Sequence, residues 1–304
     1  MKKTLIAVVG PTAIGKTTWS IQLARHFGTE IISTDSRQFY KEMAIGTAVP
    51  SSAELAKAPH HFIQNRSIDE PWSVGDFEKA AMRLLEDLFL QHNIVIAVGG
   101  SGLYLKALAE GLDEFPEIEP GIRQELNSEF RKQGLAYLQE LLENADPEYY
   151  RRVDLQNPHR IIRALEVFRT SGQPYSSYLG KARKKRPFNI LYIGIGAERK
   201  EVYRRIEKRV EMMMEAGLLD EARMLLKNKD LKALQTVGYR ELFQYLEGKW
   251  DLDKAVAEIK KNTRRYAKRQ LTWLRKNEEV FWIDHKEDFG KVINLVENRL
   301  RKEI

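Results

Sequence analysis

Residues 10–17 read Gly10-Pro11-Thr12-Ala13-Ile14-Gly15-Lys16-Thr17, and this run fits the phosphate-binding loop pattern at every required position. An apolar strand candidate, Leu5 to Val9, precedes the run, and a helical stretch, Lys16 to His26, follows it. Glycines let backbone N–H groups turn inward toward an oxyanion, and the start of a helix adds a favourable dipole. The run is therefore predicted to bind phosphate groups; an ordinary glycine-rich turn is the alternative.

Two side chains of this loop have predicted roles. Lys16 would contact a terminal phosphate as a point charge. Thr17 would hold Mg²⁺ through its hydroxyl, because magnesium prefers oxygen ligands and shares them with substrate phosphates. The same loop is also a candidate nucleotide site for ATP.

Composition limits the class of protein. The chain has 304 residues, which is enough for a substantial core and for two domains. It contains no cysteine, which excludes disulfides and thiolate zinc sites. No apolar run approaches the length of a membrane span, and no cleavage site follows the N-terminus. We expect a soluble, cytoplasmic protein that acts as a monomer and has no membrane partner.

The formal charge of +7 is concentrated in one region. The stretch from Lys260 to Lys276 contains eight basic residues and no acidic residue. Two ladders with a spacing of four, starting at Lys260 and Lys261, place the charges on adjoining stripes of one predicted helix. Because like charges repel at this spacing, the pattern indicates an anionic partner.

Strand and helix patterns alternate along much of the chain. Strand candidates are Leu5 to Val9, Glu30 to Ser33, Ile94 to Val98, Asn189 to Gly194 and Val280 to Ile283. Helical patterns separate most of them, which predicts an α/β fold with a P-loop NTPase-like parallel sheet flanked by helices. Strand signals vanish between Phe115 and Pro187, so we interpret residues 115–187 as an all-helical insertion into a catalytic core of residues 1–114 and 188–304.

Residues that typically begin or end helices divide the insertion. Pro120 and Gly134 are predicted to bound one helix, and Asp146-Pro147 and Asn157-Pro158 each resemble an N-cap followed by proline at the first helical position. The exit, Lys181 to Pro187, is strongly basic. It is either a solvated linker or part of a polyanion-binding surface.

Apolar residues recur at helical spacing after the return strand, from Val202 to Met214, and Gly217 is the predicted stop of this helix. Met212 to Met214 are predicted to fill the core. Arg205 and Arg209 lie four residues apart on a different face. They are either surface charges or clamps for a phosphate group.

Two further segments bear on the chemistry. The strand Ile94 to Val98 runs into Gly99-Gly100-Ser101-Gly102 and lacks the aspartate with which NTPases organise Mg²⁺, which disfavours switch-type hydrolysis. Ser101 either caps the next helix or contacts substrate. Asp35 directly follows the strand Glu30 to Ser33, where ligands bind in open parallel sheets; it either acts as a base or accepts N–H groups of its own loop.

Six segments carry a resemblance to a known family. They are Gly10 to Thr17, Asp35-Ser36-Arg37-Gln38-Phe39-Tyr40, Gly99-Gly100-Ser101-Gly102-Leu103-Tyr104, Asn157-Pro158-His159-Arg160-Ile161-Ile162-Arg163-Ala164-Leu165-Glu166, Thr236-Val237-Gly238-Tyr239-Arg240 and Lys268-Arg269-Gln270-Leu271-Thr272-Trp273-Leu274-Arg275. In this order the chain resembles the bacterial tRNA dimethylallyltransferases, also called tRNA isopentenyltransferases. The resemblance spans nearly the whole chain.

The resemblance implies transfer of a dimethylallyl group from dimethylallyl diphosphate to N6 of adenine 37, beside the anticodon of tRNAs that read codons beginning with U. By analogy, residues 12–17 bind the diphosphate and Mg²⁺, Asp35 is the base, and Lys16, Ser101 and Arg205 assist. The anticodon stem-loop would bind the helical insertion and the basic C-terminal helices. The residues implied in tRNA contact are Asp35, Ser36, Arg37, Gln38, Ser101, Arg123, His159, Arg160, Ile161, Ile162, Arg163, Gln235, Thr236, Val237, Gly238, Tyr239, Arg240, Lys268, Arg269, Gln270, Leu271, Thr272, Trp273, Leu274 and Arg275.

The chemistry of the acceptor agrees with these roles. An adenine amine is a poor nucleophile, so an enzyme must orient it, accept its proton and stabilise the departing diphosphate. The adenine must also leave its stack in the RNA. Tyr266 and Trp273 are candidates for stacking on this nucleobase or for packing in the core.

Three other functions stay open from the residues alone. An enzyme that prenylates AMP would share the loop and the base, but the basic helix argues against it. A metabolite kinase would explain the loop and Asp35 without the cationic helix. An RNA-binding protein with a vestigial loop would bind RNA in a salt-sensitive way without turnover.

Overall fold

The structure, a computed structural model, describes residues 2–180 and 185–302. The chain divides into two compact units, Met1–Ala109 with Arg186–Ile304, and Glu110–Lys185. The division thus lies within a few residues of the one drawn from the sequence. Lys181 to Lys184, the first part of the basic exit, lie outside the described residues.

A six-stranded parallel sheet forms the centre of the first unit. Its order is β3-β2-β4-β1-β5-β6, with every neighbouring pair parallel. The strands are β1 (Thr4–Val9), β2 (Ile31–Ser33), β3 (His60–His61), β4 (Ile94–Val98), β5 (Asn189–Gly196) and β6 (Phe281–Asp284). All five predicted strands are therefore confirmed. The short edge strand β3 was missed because two residues are too few to show the alternation of apolar and polar side chains that is typical of a strand.

Helices connect the strands of this unit. They are α1 (Lys16–Phe27), α2 (Ser52–Leu55), α3 (Val74–Gln91), α4 (Gly102–Glu110), α8 (Arg199–Glu215), α9 (Leu218–Leu225), α10 (Tyr239–Leu246), α11 (Leu252–Leu274) and α12 (Phe289–Lys302). The last residue of α4, Glu110, falls in the second unit. Within the described residues, no helix combines the length and the apolar character that crossing a bilayer requires.

Alternate residues of β1 pack against helices on opposite faces of the sheet. Ile6 and Val8 belong to a cluster with Leu23 of α1 and Ile206 of α8. Leu5 belongs to a different cluster, which contains Phe77 of α3. Both faces of the sheet are covered, which explains why β1 and β4 are buried along their whole length and confirms the predicted α/β class.

The second unit contains helices and no strand in its described part. It contains α5 (Ile122–Ala145), α6 (Pro147–Tyr150) and α7 (Pro158–Ser171). Asp146 and Asn157 accept N–H groups of the first turns of α6 and α7, with proline at the start of each helix, as predicted. Gly134 interrupts α5 with a φ of 81°, so the expected helix end exists as a break between two helical halves.

Gly217 has a φ of 97° and follows Ala216, the C-cap of α8, so the predicted helix stop is confirmed, and α9 begins directly after it. The expectation for the three methionines is corrected in part. Met213 and Met214 pack against a core cluster, but Met212 is 57% exposed and fills no core. Three consecutive residues of a helix point in three directions, so they could not all face the core.

A buried carboxylate anchors the loop between β2 and α2. Glu221 of α9 accepts N–H groups of Ala44, Ile45 and Gly46 at 2.8–2.9 Å and the hydroxyl of Tyr239 at 2.7 Å. Burial, together with the charge of Glu221, raises the pKa of Tyr239, so the phenol stays protonated. A Cβ on Gly46 would lie 2.5 Å from the Tyr239 ring, so that position requires glycine.

We expect Tyr239→Phe to lower the free energy of unfolding by about 1.5–3 kcal/mol, because it removes a hydrogen bond to a buried charged group. Urea denaturation of the whole chain measures the change. Tyr245→Phe, the same chemical change at a half-buried position of α10, is the control and should have little effect. Equal loss in both variants would contradict the anchoring role.

Candidate active site

The loop between β1 and α1 has the backbone conformation that gathers N–H groups around an anion. Gly10 and Gly15 have φ angles of 149° and 103°, and Ala13, which is not a glycine, has a φ of 65°. A Cβ on Gly10 would lie 2.5 Å from the carbonyl oxygen of Ile195 in the neighbouring strand β5. Both glycines are thus required, one by contact and one by conformation. Ile14 is buried in the core and fixes the loop against the sheet.

The ammonium group of Lys16 folds back onto its own loop and donates to the carbonyl oxygen of Pro11 at 2.9 Å. Burial, with a contribution from the charge of Arg209, lowers the pKa of Lys16 to about 8; Asp35 opposes this shift. A phosphate at the loop would offer this cation a far stronger acceptor than a carbonyl oxygen.

A cavity of about 550 Å³ opens in front of the loop. Its cationic lining comes from Lys16 and from four residues of α8, namely Arg204, Arg205, Lys208 and Arg209. Arg205 Nε donates to the carbonyl oxygen of Ala13 at 2.8 Å, and Arg209 makes only a long bond of 3.5 Å to Thr47 O. Arg205 and Arg209 therefore face the cavity as clamps would, and they are not simple surface charges.

The rest of the lining contains neutral polar, apolar and acidic groups. Apolar side chains come from Ala48, Val49, Pro50, Ile63 and Met212, and the carboxylates come from Asp35 and Glu54. The cavity thus combines a cationic wall with an apolar wall, an arrangement that suits a ligand with an anionic head and a hydrocarbon tail.

Asp35 lies at the carboxyl end of β2 and lines the cavity. Its Oδ1 accepts the N–H of Arg37 at 3.0 Å, so the structural role considered for it is present. Its charge also acts on Lys16 and Arg209, which places it near the cationic wall. The remaining lone pairs of the carboxylate leave room for a second role as proton acceptor.

Ser101 lies at the start of α4, where its carbonyl oxygen accepts N–H groups of Tyr104 and Leu105. Its hydroxyl lies 3.1 Å from both the backbone nitrogen and the hydroxyl of Ser36. The side chain therefore connects the loop after β4 to the loop after β2, beside Asp35, and makes no cap to its own helix among the described contacts.

Tyr266 of α11, which the sequence left open between stacking on a nucleobase and packing in the core, lines the cavity. Its phenol lies near Ser101 and Asp35, and burial raises the pKa of Tyr266 to about 12, so it stays a hydrogen-bond donor at neutral pH. The spacing in the sequence could have indicated this position, because Tyr266 lies four residues before Gln270 and both therefore lie on one face of a helix.

Several residues with implied tRNA contacts are buried inside their own unit. These are Ile161, Ile162, Gly238, Tyr239, Gln270 and Leu274. Apolar side chains at helical spacing pack in the core, and Tyr239 is the phenol bound to Glu221. These residues are packed inside their unit, although Gln270 also lines the cavity. The motifs therefore combine surface residues with residues that hold the surface in place.

Gln38 and Arg37 are also engaged within the protein. Gln38 Nε2 donates to the carbonyl oxygens of Thr47 and Ala48 at 3.2 and 3.0 Å, and Arg37 Nη1 donates to Lys232 O at 3.1 Å. These bonds hold together the loops that surround the cavity. The exposed members of the implied set in this unit are Gln235, Arg240, Lys268, Arg269, Thr272, Trp273 and Arg275.

The basic stretch of α11 separates into two halves. Lys260 and Arg264 pair with Glu211 and Glu207 of α8 at 2.6 and 2.9 Å, so the expected repulsion is relieved within the protein. Lys268, Arg269 and Lys276 instead border a shallow surface pocket with Thr272 and Trp273. The cations of this second half are exposed.

In the helical unit, His159 and Arg160 are exposed. Arg123 forms a bidentate pair with the buried Glu166, and Arg163 approaches the same carboxylate at 3.5 Å. The role implied for Arg123 is thus at least partly structural, because its guanidinium compensates a buried charge. Arg186, in the second part of the basic exit, likewise pairs with Glu78 at 2.8 Å in a buried position.

Comparison with known proteins places this geometry in a family. The family model described as IPP transferase matches residues 38–277. The tRNA dimethylallyltransferase of Christiangramia forsetii is 53% identical over 300 residues, covering 99% of both chains. That of Flavobacterium johnsoniae is 53% identical over 308 residues, covering 99% of this chain and 100% of the relative.

Solved structures agree with this relationship. The tRNA isopentenylpyrophosphate transferase of Bacillus halodurans superimposes with a TM-score of 0.72 and 36% identity, covering 99% of this chain and 96% of that chain. A eukaryotic dimethylallyltransferase acting on tRNA, at 24% identity, has the same fold with a TM-score of 0.84, covering 99% and 80%. With a phosphate loop, a neighbouring carboxylate and relatives matched from end to end, the chain belongs to the tRNA dimethylallyltransferase family.

Proposed function

We propose that this protein transfers a dimethylallyl group from dimethylallyl diphosphate to N6 of adenine 37 in tRNAs that read codons beginning with U. The products are N6-(dimethylallyl)adenosine and diphosphate. The carrying observation is that one cavity joins a cationic phosphate loop, an apolar wall and the carboxylate of Asp35. Family membership supports tRNA as the acceptor.

In this proposal the diphosphate of the donor binds to the backbone of residues 10–17. Lys16 exchanges its bond to Pro11 for a phosphate oxygen, and Arg205 and Arg209 lie close enough to neutralise the charge of the leaving group. The five-carbon tail would pack against Val49, Pro50 and Met212 on the apolar wall.

Mg²⁺ is the cofactor that this chemistry implies, and the residues fit it. Thr17 lines the cavity beside the loop and offers a hydroxyl oxygen, while diphosphate oxygens and water would complete the shell of an ion that keeps several waters. Thr17 would hold the ion, which when bound supplies further positive charge next to the leaving group.

The reaction itself needs one proton acceptor. The N6 nitrogen forms a bond to C1 of the allyl group, the bond from C1 to the diphosphate oxygen breaks, and the nitrogen loses a proton. Asp35 is the carboxylate of the cavity at the carboxyl end of β2, beside Ser101 and Tyr266, whose hydroxyls can orient the incoming base.

The first test is Asp35→Asn, which keeps the shape and the bond from Arg37 N–H but removes the base. We expect transfer of labelled dimethylallyl groups to undermodified tRNA to fall by about 10²–10⁴-fold in kcat. Asp69→Asn, at an exposed turn, is the control and should act as the parent protein does. The assay contains no ATP and includes AMP as a competing acceptor; preferential labelling of AMP would refute the tRNA assignment.

The second test concerns pH. Lys16 carries its charge below a pKa of about 8, so kcat/KM for the donor should hold below that pH and fall by about tenfold per unit well above it. Because the charge of Arg209 contributes to the low pKa, Arg209→Gln should move the fall to higher pH. The profile is measured at constant ionic strength and saturating tRNA. A flat profile up to about pH 10 would contradict the role of Lys16.

The third test separates the two halves of the basic helix. Replacing Lys268 and Arg269 together with Gln should weaken tRNA binding and reduce the slope of log affinity against log salt by about 0.7–0.9 for each phosphate that the protein no longer neutralises. The matched control replaces Lys260 and Arg264, which are paired with α8, and should leave the slope nearly unchanged. Equal slopes for the two double variants would show that Lys268 and Arg269 do not bind phosphates of the RNA.

A further inference from the structure

Gln270, an uncharged residue of the basic helix α11, lies at the active site and lines its cavity. Gln270 is 7% exposed. Its Oε1 accepts the N–H of Thr12, in the phosphate loop, at 2.8 Å. Its Nε2 donates to the carbonyl oxygen of Gly100, in the loop after β4, at 2.9 Å. One amide group thus joins two loops that belong to different strands.

The loop after β4 is shaped around this amide. A Cβ on Gly100 would lie 2.2 Å from Gln270 Nε2, and a Cβ on Gly102 would lie 2.7 Å from the Trp273 ring. Helix α11 therefore contacts the same turn twice, at positions three residues apart. Between these contacts lies Ser101, whose hydroxyl bonds to Ser36 next to Asp35.

The outer side of the same two helical turns carries the exposed cations. Lys268, Arg269 and Lys276 surround Trp273, which is 37% exposed although its ring covers Gly102. The inner side is fixed by Ala267 and Leu274, which are buried in two different core clusters. One helical segment thus has a cationic outer surface and a hydrogen-bonded inner surface.

We propose that Gln270 is a positioning residue that transmits RNA binding on the outer surface of α11 to the diphosphate-binding loop. This inference rests on the proposed function and gives Gln270 a role other than the tRNA contact implied by the family motif. RNA bound at Lys268, Arg269 and Trp273 holds the helix, and Gln270 then holds Thr12 N–H and Gly100 O at a fixed separation. The two substrates are coupled through one amide, so each raises the affinity for the other by the same factor.

The test uses two variants that break the bridge from opposite sides. Gln270→Leu keeps the volume of the side chain and removes both hydrogen bonds. Gly100→Ala leaves residue 270 unchanged, but its new methyl group pushes the amide of Gln270 away from its partners. In both, KM for the donor at saturating tRNA should rise by about tenfold, the size of one net hydrogen bond, while the affinity for tRNA measured without donor stays within about twofold. The double variant should resemble each single variant, because both remove the same bridge.

A binding measurement keeps this test independent of catalysis. Inorganic diphosphate with Mg²⁺ is titrated calorimetrically into the whole protein, with and without an anticodon stem-loop RNA. In the parent protein the RNA should strengthen diphosphate binding, and in Gln270→Leu this difference should vanish while RNA affinity is kept. Lys268→Gln is the contrasting variant, with weakened RNA binding and an intact bridge, so saturating RNA should still strengthen diphosphate binding.

Three results would overturn the inference. They are a rise in KM for tRNA with an unchanged KM for the donor, additive losses in the double variant, and RNA-dependent diphosphate binding that survives Gln270→Leu. Loss of the folded protein in Gln270→Leu leaves Gly100→Ala to decide. A parent protein that transfers no dimethylallyl group would refute the proposed function, whereas the calorimetric coupling would still decide the role of Gln270.

Discussion

Parallel pairing of β2, β4 and β1 brings the carboxyl ends of three adjacent strands to one edge of the sheet, and the whole candidate site is built on that edge. Asp35 follows β2, Ser101 follows β4, and the phosphate loop follows β1. Because these strands are buried on both faces, their register is fixed by packing. The reacting groups therefore inherit their spacing from the core, and the loops need only adjust its details.

The close approach of these loops depends on glycine, which has no side chain, at a few positions. Gly10 fits against Ile195, Gly100 against Gln270, and Gly102 against Trp273. At each point a side chain would separate segments that must touch. The loops then approach closely enough for single polar groups, such as the hydroxyl of Ser101 or the amide of Gln270, to connect them.

Local signals in the sequence predicted much of this structure. The phosphate loop, the five longer strands and the caps at Asp146 and Asn157 depend on neighbouring residues, and each lies where expected. Features set by tertiary packing were missed or misread. Gln270 was implied in tRNA contact but bonds to Thr12 and Gly100, and Tyr266, left open between base stacking and core packing, lines the cavity. Met212 was assigned to the core from its type, and Arg123 pairs with Glu166, 43 residues away. A motif marks which residues matter, but contacts across the fold decide what each side chain touches.

The bond between Lys16 and Pro11 has a consequence for turnover. The ammonium group has an acceptor within its own loop, so the buried cation is hydrogen-bonded inside the protein. In the proposed reaction the donor would gain only the difference between the two acceptors, which would moderate how tightly the released diphosphate is retained.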